Sequence, residues 1–66
     1  MNTYIIKELE NKQSDRKGIT VTAKTLRAAK IAATKAQMFK GTVMSVESDL
    51  GHVFAYREGG KWVDVV

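Results

Sequence analysis

The stretch "LRAAKIAATKAQMFK", residues 26–40, decides how this chain folds. It is rich in alanine and mixes apolar and basic residues at a helical period. At 100° per residue, one arc of the helix collects small side chains and one aromatic ring. This arc consists of Ala28, Ala29, Ala32, Ala33, Ala36 and Phe39, with Leu26 at its edge. Because small side chains let a helix lie close to a sheet, the arc is the predicted packing face, with Phe39 anchoring its C-terminal end.

The two ends of this helix are predicted from the residues that flank it. Thr25 is a good N-cap, because its hydroxyl can accept a hydrogen bond from an unpaired amide in the first turn. Gly41 is a suitable stop, and Lys40 suits the negative end of the helix dipole. We therefore predict a helix from Leu26 to Phe39.

Short runs of β-forming residues lie on both sides of the helix. The polar loop "ENKQSDRKG" separates the first two runs, which are predicted to form a hairpin. Short glycine-containing turns make the last three strands antiparallel neighbours. The predicted strands are 3–9, 19–23, 42–48, 52–57 and 61–66. The chain is therefore predicted to be a single α+β domain over residues 1–66, a β-β-α-β-β-β sheet with the helix packed on one face.

The opposite arc of the helix carries an unusual set of side chains. Its members are Arg27, Lys30, Ile31, Thr34, Lys35, Gln37 and Met38. Three of them are cations, and the helix contains no acid that could form the usual i,i+4 pairs with them. Ile31 and Met38 lie seven residues apart among these polar groups. This arc is therefore interpreted as a contact surface, with a solvated face that carries incidental apolar residues as the alternative.

Composition limits the classes of function. The 66 residues carry a net charge of +4 and contain no cysteine, so thiolate nucleophiles and cysteine-ligated zinc are excluded. No apolar stretch approaches the roughly 20 residues that span a bilayer. A basic balance favours contact with phosphates or acidic protein surfaces, although a charge of this size also serves solubility alone. The absence of cysteine is in keeping with a reducing cytoplasm.

Other possible sites carry weaker signals. His52 has no second histidine or cysteine as a partner for a metal, and Glu8 and Glu10 are interpreted as part of a solvated strand face. Three aromatic residues on neighbouring strands are interpreted as packing groups, with base stacking as the alternative: Phe54, Tyr56 and Trp62. No serine, histidine and acid form a nucleophile motif. We therefore expect no catalysis, no metal and no cofactor.

Three segments carry a resemblance to a known family. They are "TYIIKE" (3–8), "LRAAKIAATKAQMFKGTVM" (26–44) and "AYREGGKWVD" (55–64). Together they resemble the ninth-described family of type I-F anti-CRISPR proteins, which come from phages and mobile elements. The resemblance implies a five-stranded antiparallel sheet with one helix. It also implies binding to the backbone subunits of the Csy surveillance complex, which prevents guide RNA from hybridising with target DNA, in the cytoplasm of the infected host bacterium.

The resemblance also implies which residues make contact. By position these are Lys30, Lys35, Gln37 and Arg57, where the family has lysine in place of Arg57. Ile31 departs from the family, which has a second basic residue there. Without that basic residue the row of cations on the helix is weaker, and an apolar contact takes its place. This makes a role of the surface in holding DNA more doubtful than a role in holding protein.

Two alternatives stay open at the level of sequence. The first is a small basic module that binds nucleic acid directly with the outer face of the helix. The second is weak, non-specific contact with duplex DNA once the protein has docked on its complex. No self-complementary patch is evident, so the free protein is predicted to be a monomer.

Overall fold

The computed structural model describes residues 2–11 and 16–65 of the chain. Within these residues the elements follow the order β-β-α-β-β-β, and the predicted α+β fold is confirmed. The elements are β1 Asn2–Leu9, β2 Ile19–Ala23, α1 Leu26–Ala36, β3 Val43–Ser48, β4 Val53–Glu58 and β5 Lys61–Asp64. All five strands belong to one antiparallel sheet in the order β2-β1-β3-β4-β5. The predicted loop after β1 and the predicted end of β5 include residues 12–15 and 66, which lie outside the described residues.

Strand β1 lies between its hairpin partner β2 and the later strand β3. Ile6 pairs with Ile19 on one side and with Val46 on the other, and the predicted β1–β2 hairpin is confirmed. Since β1 is antiparallel to both neighbours, β2 and β3 run in the same direction. Helix α1 connects these two strands, and it contacts all three of them. The helix therefore lies over the middle of the β2-β1-β3 half of the sheet.

The core lies between α1 and one face of the sheet. Ala29 and Ala33 are both 0% exposed, as the predicted packing face requires. The sheet contributes four larger side chains and one more alanine to the same cluster: Tyr4, Ile6, Met44, Val46 and Ala23. Because protein interiors are closely packed, the small methyl groups on the helix must be matched by larger side chains on the sheet.

Two predicted members of the packing face lie outside the core. Ala28 is exposed, because it lies at the margin of the apolar arc. Phe39 is 65% exposed, so its prediction as an anchor is wrong. The reason is that α1 ends at Ala36, three residues before the predicted end, so helical geometry does not set the direction of Phe39. Gly41 is therefore not the helix stop, although its φ of 82° suits the turn that follows.

The N-terminus of α1 forms as predicted. The Oγ1 of Thr25 accepts a hydrogen bond from the backbone N–H of Ala28 at 3.2 Å. Thr25 itself has extended backbone angles, as an N-cap residue should. This cap fixes the point at which the chain leaves β2 and enters the helix.

The second face of the sheet is covered by its own polar side chains. No helix among the described residues packs on it. Ser45 is 0% exposed and donates to Glu47 Oε2 at 3.2 Å, and Lys7 Nζ lies 3.3 Å from the same oxygen. Ser45 and Glu47 alternate along β3 with Met44 and Val46, which face the helix. The fold therefore has two layers, and the main apolar cluster lies on the helix side of the sheet.

The close contact of the helix predicts how the core responds to added volume. Ala33→Leu should lower the free energy of unfolding by about 1–3 kcal/mol, because the extra atoms have no space between α1 and the sheet. Ala28→Leu adds the same atoms to the same helix at an exposed position, and should change stability by less than about 0.5 kcal/mol. Urea denaturation of both variants measures this, and equal effects would contradict the assigned packing face.

Candidate protein-binding surface

The predicted contact residues divide into two groups by burial. Five of them are exposed to solvent: Arg27, Ile31, Thr34, Lys35 and Met38. Ile31 is 51% exposed and Met38 is 79% exposed, so both apolar side chains are open to solvent. The other three are half-buried: Lys30, Gln37 and Arg57. We call these eight residues the outer surface.

Lys30 is held in place by strand β5. Its Nζ forms an ion pair and hydrogen bond with Asp64 Oδ1 and lies 5.9 Å from the centre of the Trp62 ring. The Trp62 indole N–H donates to Thr34 Oγ1 at 3.4 Å. The helix itself contains no acid, and the partner of Lys30 lies 34 residues further along the chain, on β5. Lys30 therefore presents a positioned and partly neutralised cation.

Gln37 joins the end of α1 to the sheet. Its Oε1 accepts a hydrogen bond from Arg57 Nη1, and Arg57 lies on β4 beside Met44 of β3. The Gln37 Nε2 lies 3.0 Å from Thr42 Oγ1 and 3.1 Å from the Phe39 carbonyl. Two predicted contact residues from distant parts of the sequence are therefore brought together by one direct hydrogen bond.

The helix ends early because a carboxylate on β1 takes two of its backbone amides. Glu8 accepts from the N–H of Met38 at 3.1 Å and from that of Phe39 at 2.9 Å. In a continuing helix these amides would donate to carbonyls four residues earlier, on Thr34 and Lys35. The backbone of Gln37 is already extended, with ψ of 122°. Residues 37–42, which we call the post-helix segment, therefore fold around Glu8 instead of forming another helical turn.

Thr42 completes the binding of this carboxylate. Its hydroxyl donates to Glu8 Oε2 at 2.8 Å and accepts from Gln37 Nε2. A continuous set of hydrogen bonds thus runs from Glu8 through Thr42 and Gln37 to Arg57. It ties β1, the post-helix segment and β4 together, and two of its members, Gln37 and Arg57, belong to the outer surface.

The surroundings of Glu8 favour its charged form. Burial alone raises the pKa of this carboxyl. Hydrogen bonds from Met38, Thr42 and Phe39, together with the positive charge of Arg16, lower it by more, so its pKa lies below the ordinary value of 4.5. Glu10 and Lys17 line the same groove as Glu8. Glu8 is thus an ionised, structurally bound carboxylate at neutral pH.

Glu8 was missed by the sequence analysis, which interpreted it as part of a solvated strand face. That interpretation is wrong for Glu8, which is half-buried, whereas Glu10 is exposed and pairs with Arg16 at 3.2 Å. The signal was the alternation along β1: Tyr4 and Ile6 face the core, and Glu8 continues their series. A carboxylate in that series needs hydrogen-bond donors, and the post-helix segment supplies them.

Helical-wheel angles do not place two members of the outer surface. Gln37 and Met38 follow Ala36, the last residue of α1, so their positions depend on the post-helix segment. The predicted spacing of Ile31 and Met38 along one helical face is therefore wrong. Met38 and Phe39 instead line an open groove with Ile6, Leu9 and Met44, next to the outer surface.

The remaining candidates behave as packing groups. Phe54 and Trp62 pack against the core, and Phe54 meets the Tyr4 ring edge-on at 5.8 Å. His52 contacts Phe54, and in residues 2–11 and 16–65 there is no cluster of three metal-ligating side chains. In the same residues no helix is long and apolar enough to cross a membrane.

Comparison with known proteins identifies the family. No family model matches the chain, and no curated protein matches it. A solved structure named AcrIF9 is 47% identical to this chain, with a TM-score of 0.94. The match covers 100% of this chain and 90% of the AcrIF9 chain. The chain belongs to the AcrIF9 family of anti-CRISPR proteins. The family resemblance found in the sequence is thereby confirmed.

Membership in the AcrIF9 family extends to the whole fold and not to a short motif. Because the match covers every element, the segments that carry the outer surface have counterparts in the AcrIF9 structure. In this AcrIF9-family chain, hydrogen bonds with Asp64, Arg57 and Trp62 hold parts of the outer surface in place.

The low pKa of Glu8 predicts a pH-dependent stability. Because the folded-state pKa is lower than that of the unfolded chain, the ionised carboxylate contributes stability above about pH 4.5. This contribution is lost as the pH falls through the lower, folded-state pKa. Glu8→Gln should therefore cost about 1 kcal/mol at neutral pH, the order measured for losing a helix cap, and almost nothing in strong acid.

Urea denaturation from neutral pH down to about pH 3 measures this difference. The control is Glu10→Gln, which removes the same charge one residue beyond the end of β1, where Glu10 forms an exposed ion pair with Arg16. A cost of Glu8→Gln that stays constant over the whole pH range would contradict the assignment of an ionised, hydrogen-bonded carboxylate.

Proposed function

We propose that this protein inhibits type I-F CRISPR immunity by binding the backbone subunits of the Csy surveillance complex that hold the guide RNA. Bound there, it prevents the guide from hybridising with target DNA. The observation that carries the proposal is the 47% identity to AcrIF9 over the whole chain, with a TM-score of 0.94. Its place of action would be the cytoplasm of the infected host bacterium, where such a complex works.

The charge of the protein supports occlusion and not imitation of DNA. A protein with a net charge of +4 does not resemble a phosphate backbone. It is suited to an acidic or mixed protein surface, or to a surface near the phosphates of bound RNA. Occlusion requires no chemical step, which agrees with the expectation that the protein is not an enzyme.

The outer surface has the anatomy expected of a protein contact. Ile31 and Met38 supply exposed apolar area, and cations and amides surround them. Protein interfaces combine apolar and polar contact area in this way. Gln37 and Arg57 are held by their mutual hydrogen bond before binding, so less conformational entropy is lost when a partner contacts them.

We propose that Gln37 and Lys30 lie near the centre of the contact, with Arg57 supporting them, and that Lys35 adds an exposed cation beside them. Ile31, Thr34 and Met38 would supply the surrounding contact area, and Arg27 would extend it toward the N-terminus of the helix. Ile31 would provide apolar area at the position where the resemblance implies a basic residue. The surface would therefore hold protein more than it holds DNA.

The double variant Lys35→Glu with Gln37→Ala tests this assignment. Neither side chain belongs to the apolar core cluster, so the fold should persist, and loss of charge-assisted contacts should weaken binding to purified Csy complex at least about thirtyfold. Lys24→Glu is the matched control, because it reverses an exposed charge at the other end of α1. Calorimetry or surface plasmon resonance measures the affinities. Unchanged binding by the folded double variant would overturn the assignment.

The second candidate function is direct binding of nucleic acid, which the exposed cations Arg27 and Lys35 favour. It predicts affinity for free DNA or RNA that falls steeply as salt rises. The proposed inhibition predicts weak binding to free nucleic acid at physiological salt and tight binding to the complex.

A gel-shift salt titration with and without purified Csy complex separates the two. We expect no shift of free duplex DNA by the protein alone at physiological salt, and loss of target-DNA binding by the complex when the protein is present. A shift of DNA by the protein alone would favour the nucleic-acid module. A salt-sensitive shift that needs the complex would add non-specific DNA contact to the docked state.

A further inference from the structure

The post-helix segment owes its conformation to one side chain from another element. Residues 37–40 read Gln-Met-Phe-Lys, and no glycine or proline interrupts the chain until Gly41. Local preference would therefore let α1 continue for about one more turn. Instead, the amides of Met38 and Phe39 and the hydroxyl of Thr42 all donate to Glu8. A contact across about 30 residues of sequence overrides the local preference.

We propose that Glu8 is a positioning residue for partner binding, which holds Gln37, Met38 and Arg57 in the arrangement that the partner recognises. Glu8 does not belong to the outer surface itself. It acts from β1, by accepting hydrogen bonds from the backbone amides of the post-helix segment. This inference rests on the proposed function, because it assumes that the outer surface contacts the partner.

The hydrogen-bond connections give the route of this effect. Thr42 joins Glu8 to the Gln37 amide, and Gln37 Oε1 accepts from Arg57. If Glu8 no longer accepted, the amides of Met38 and Phe39 would be free to donate to helical carbonyls. Gln37 would then be a helical residue with its side chain in a new direction. The hydrogen bond to Arg57 would be lost, and Met38 would move with the backbone.

The carboxylate of the Glu8 side chain matters for this role. A carboxylate offers two oxygens to three donors, whereas an amide offers a single acceptor and two donors of its own. Arg16, Lys17 and Glu10 are the charged groups that line the groove around Glu8. The side chains of Arg16 and Lys17 have no acceptor that could take the place of the Glu8 carboxylate. Glu10 could accept, but its carboxylate already accepts from Arg16. Glu8→Gln therefore removes a function that no neighbouring group supplies.

Affinity for purified Csy complex is the first measurement. We expect Glu8→Gln to weaken binding about tenfold, mainly through faster dissociation. Glu10→Gln is the matched control and should bind as the unmodified protein does. Thr42→Val preserves the shape of the side chain while removing the hydroxyl that links Glu8 to Gln37. It should also weaken binding, and it serves as the test if Glu8→Gln fails to fold.

A double-mutant cycle separates positioning from general loss of stability. If Glu8 acts through Gln37, then adding Glu8→Gln to Gln37→Ala should weaken binding little further. Added to Lys35→Glu, which lies outside the hydrogen-bond route, the same change should weaken binding by its full factor of about ten. A change that only destabilised the fold would act equally in both backgrounds, and that result would overturn the proposal.

The conformational change has its own readout. In Glu8→Gln, the backbone amide resonances of Met38 and Phe39 should shift toward helical values, and those of β2 should not. Normal affinity of Glu8→Gln beside weak affinity of Gln37→Ala would overturn this inference and leave the proposed function intact. Normal affinity of both Gln37→Ala and Lys35→Glu would overturn the proposed surface, and this inference with it.

Discussion

The contact between two alanines of α1 and the centre of the sheet is the constraint on which the structure depends. Ala29 and Ala33 have no exposed surface, and the helix approaches the sheet as closely as methyl groups allow. A short chain buries little surface, so this one contact must supply most of the apolar core. It fixes the rotation of the helix about its axis. The same rotation turns Ile31 and Lys35 toward solvent, which is how a packing requirement defines a candidate binding surface.

The second constraint is the point at which α1 ends, at Ala36. Here a carboxylate from β1 accepts hydrogen bonds from two of the backbone amides that follow the last helical residue. The result couples the sheet to the last part of the outer surface. Lys30 is coupled to the sheet in a similar way, through Asp64 and Trp62. Half of the candidate surface thus depends on helical rotation, and the other half on contacts with strands.

This division explains what the sequence could predict. Periodicity gave the order of the elements, the N-cap Thr25 and the burial of Ala29 and Ala33, because these depend on neighbours within a few residues. It could not give the end of α1 or the partner of Lys30, since the groups responsible lie 30 and 34 residues away along the chain. The position of Phe39 followed from the first of these errors. The family was found because three separate segments carried it.

The division of α1 into a face of small buried residues and a face of exposed ones also bears on how such an inhibitor can change. Exposed positions such as Ile31 and Lys35 contribute little to folding, so substitutions there cost little stability. An inhibitor whose target varies between hosts would gain from this freedom. Glu8 has no such freedom, because its carboxylate accepts three hydrogen bonds from the post-helix segment. The structure therefore separates exposed positions, which can change at little cost in stability, from positions whose contacts hold the fold.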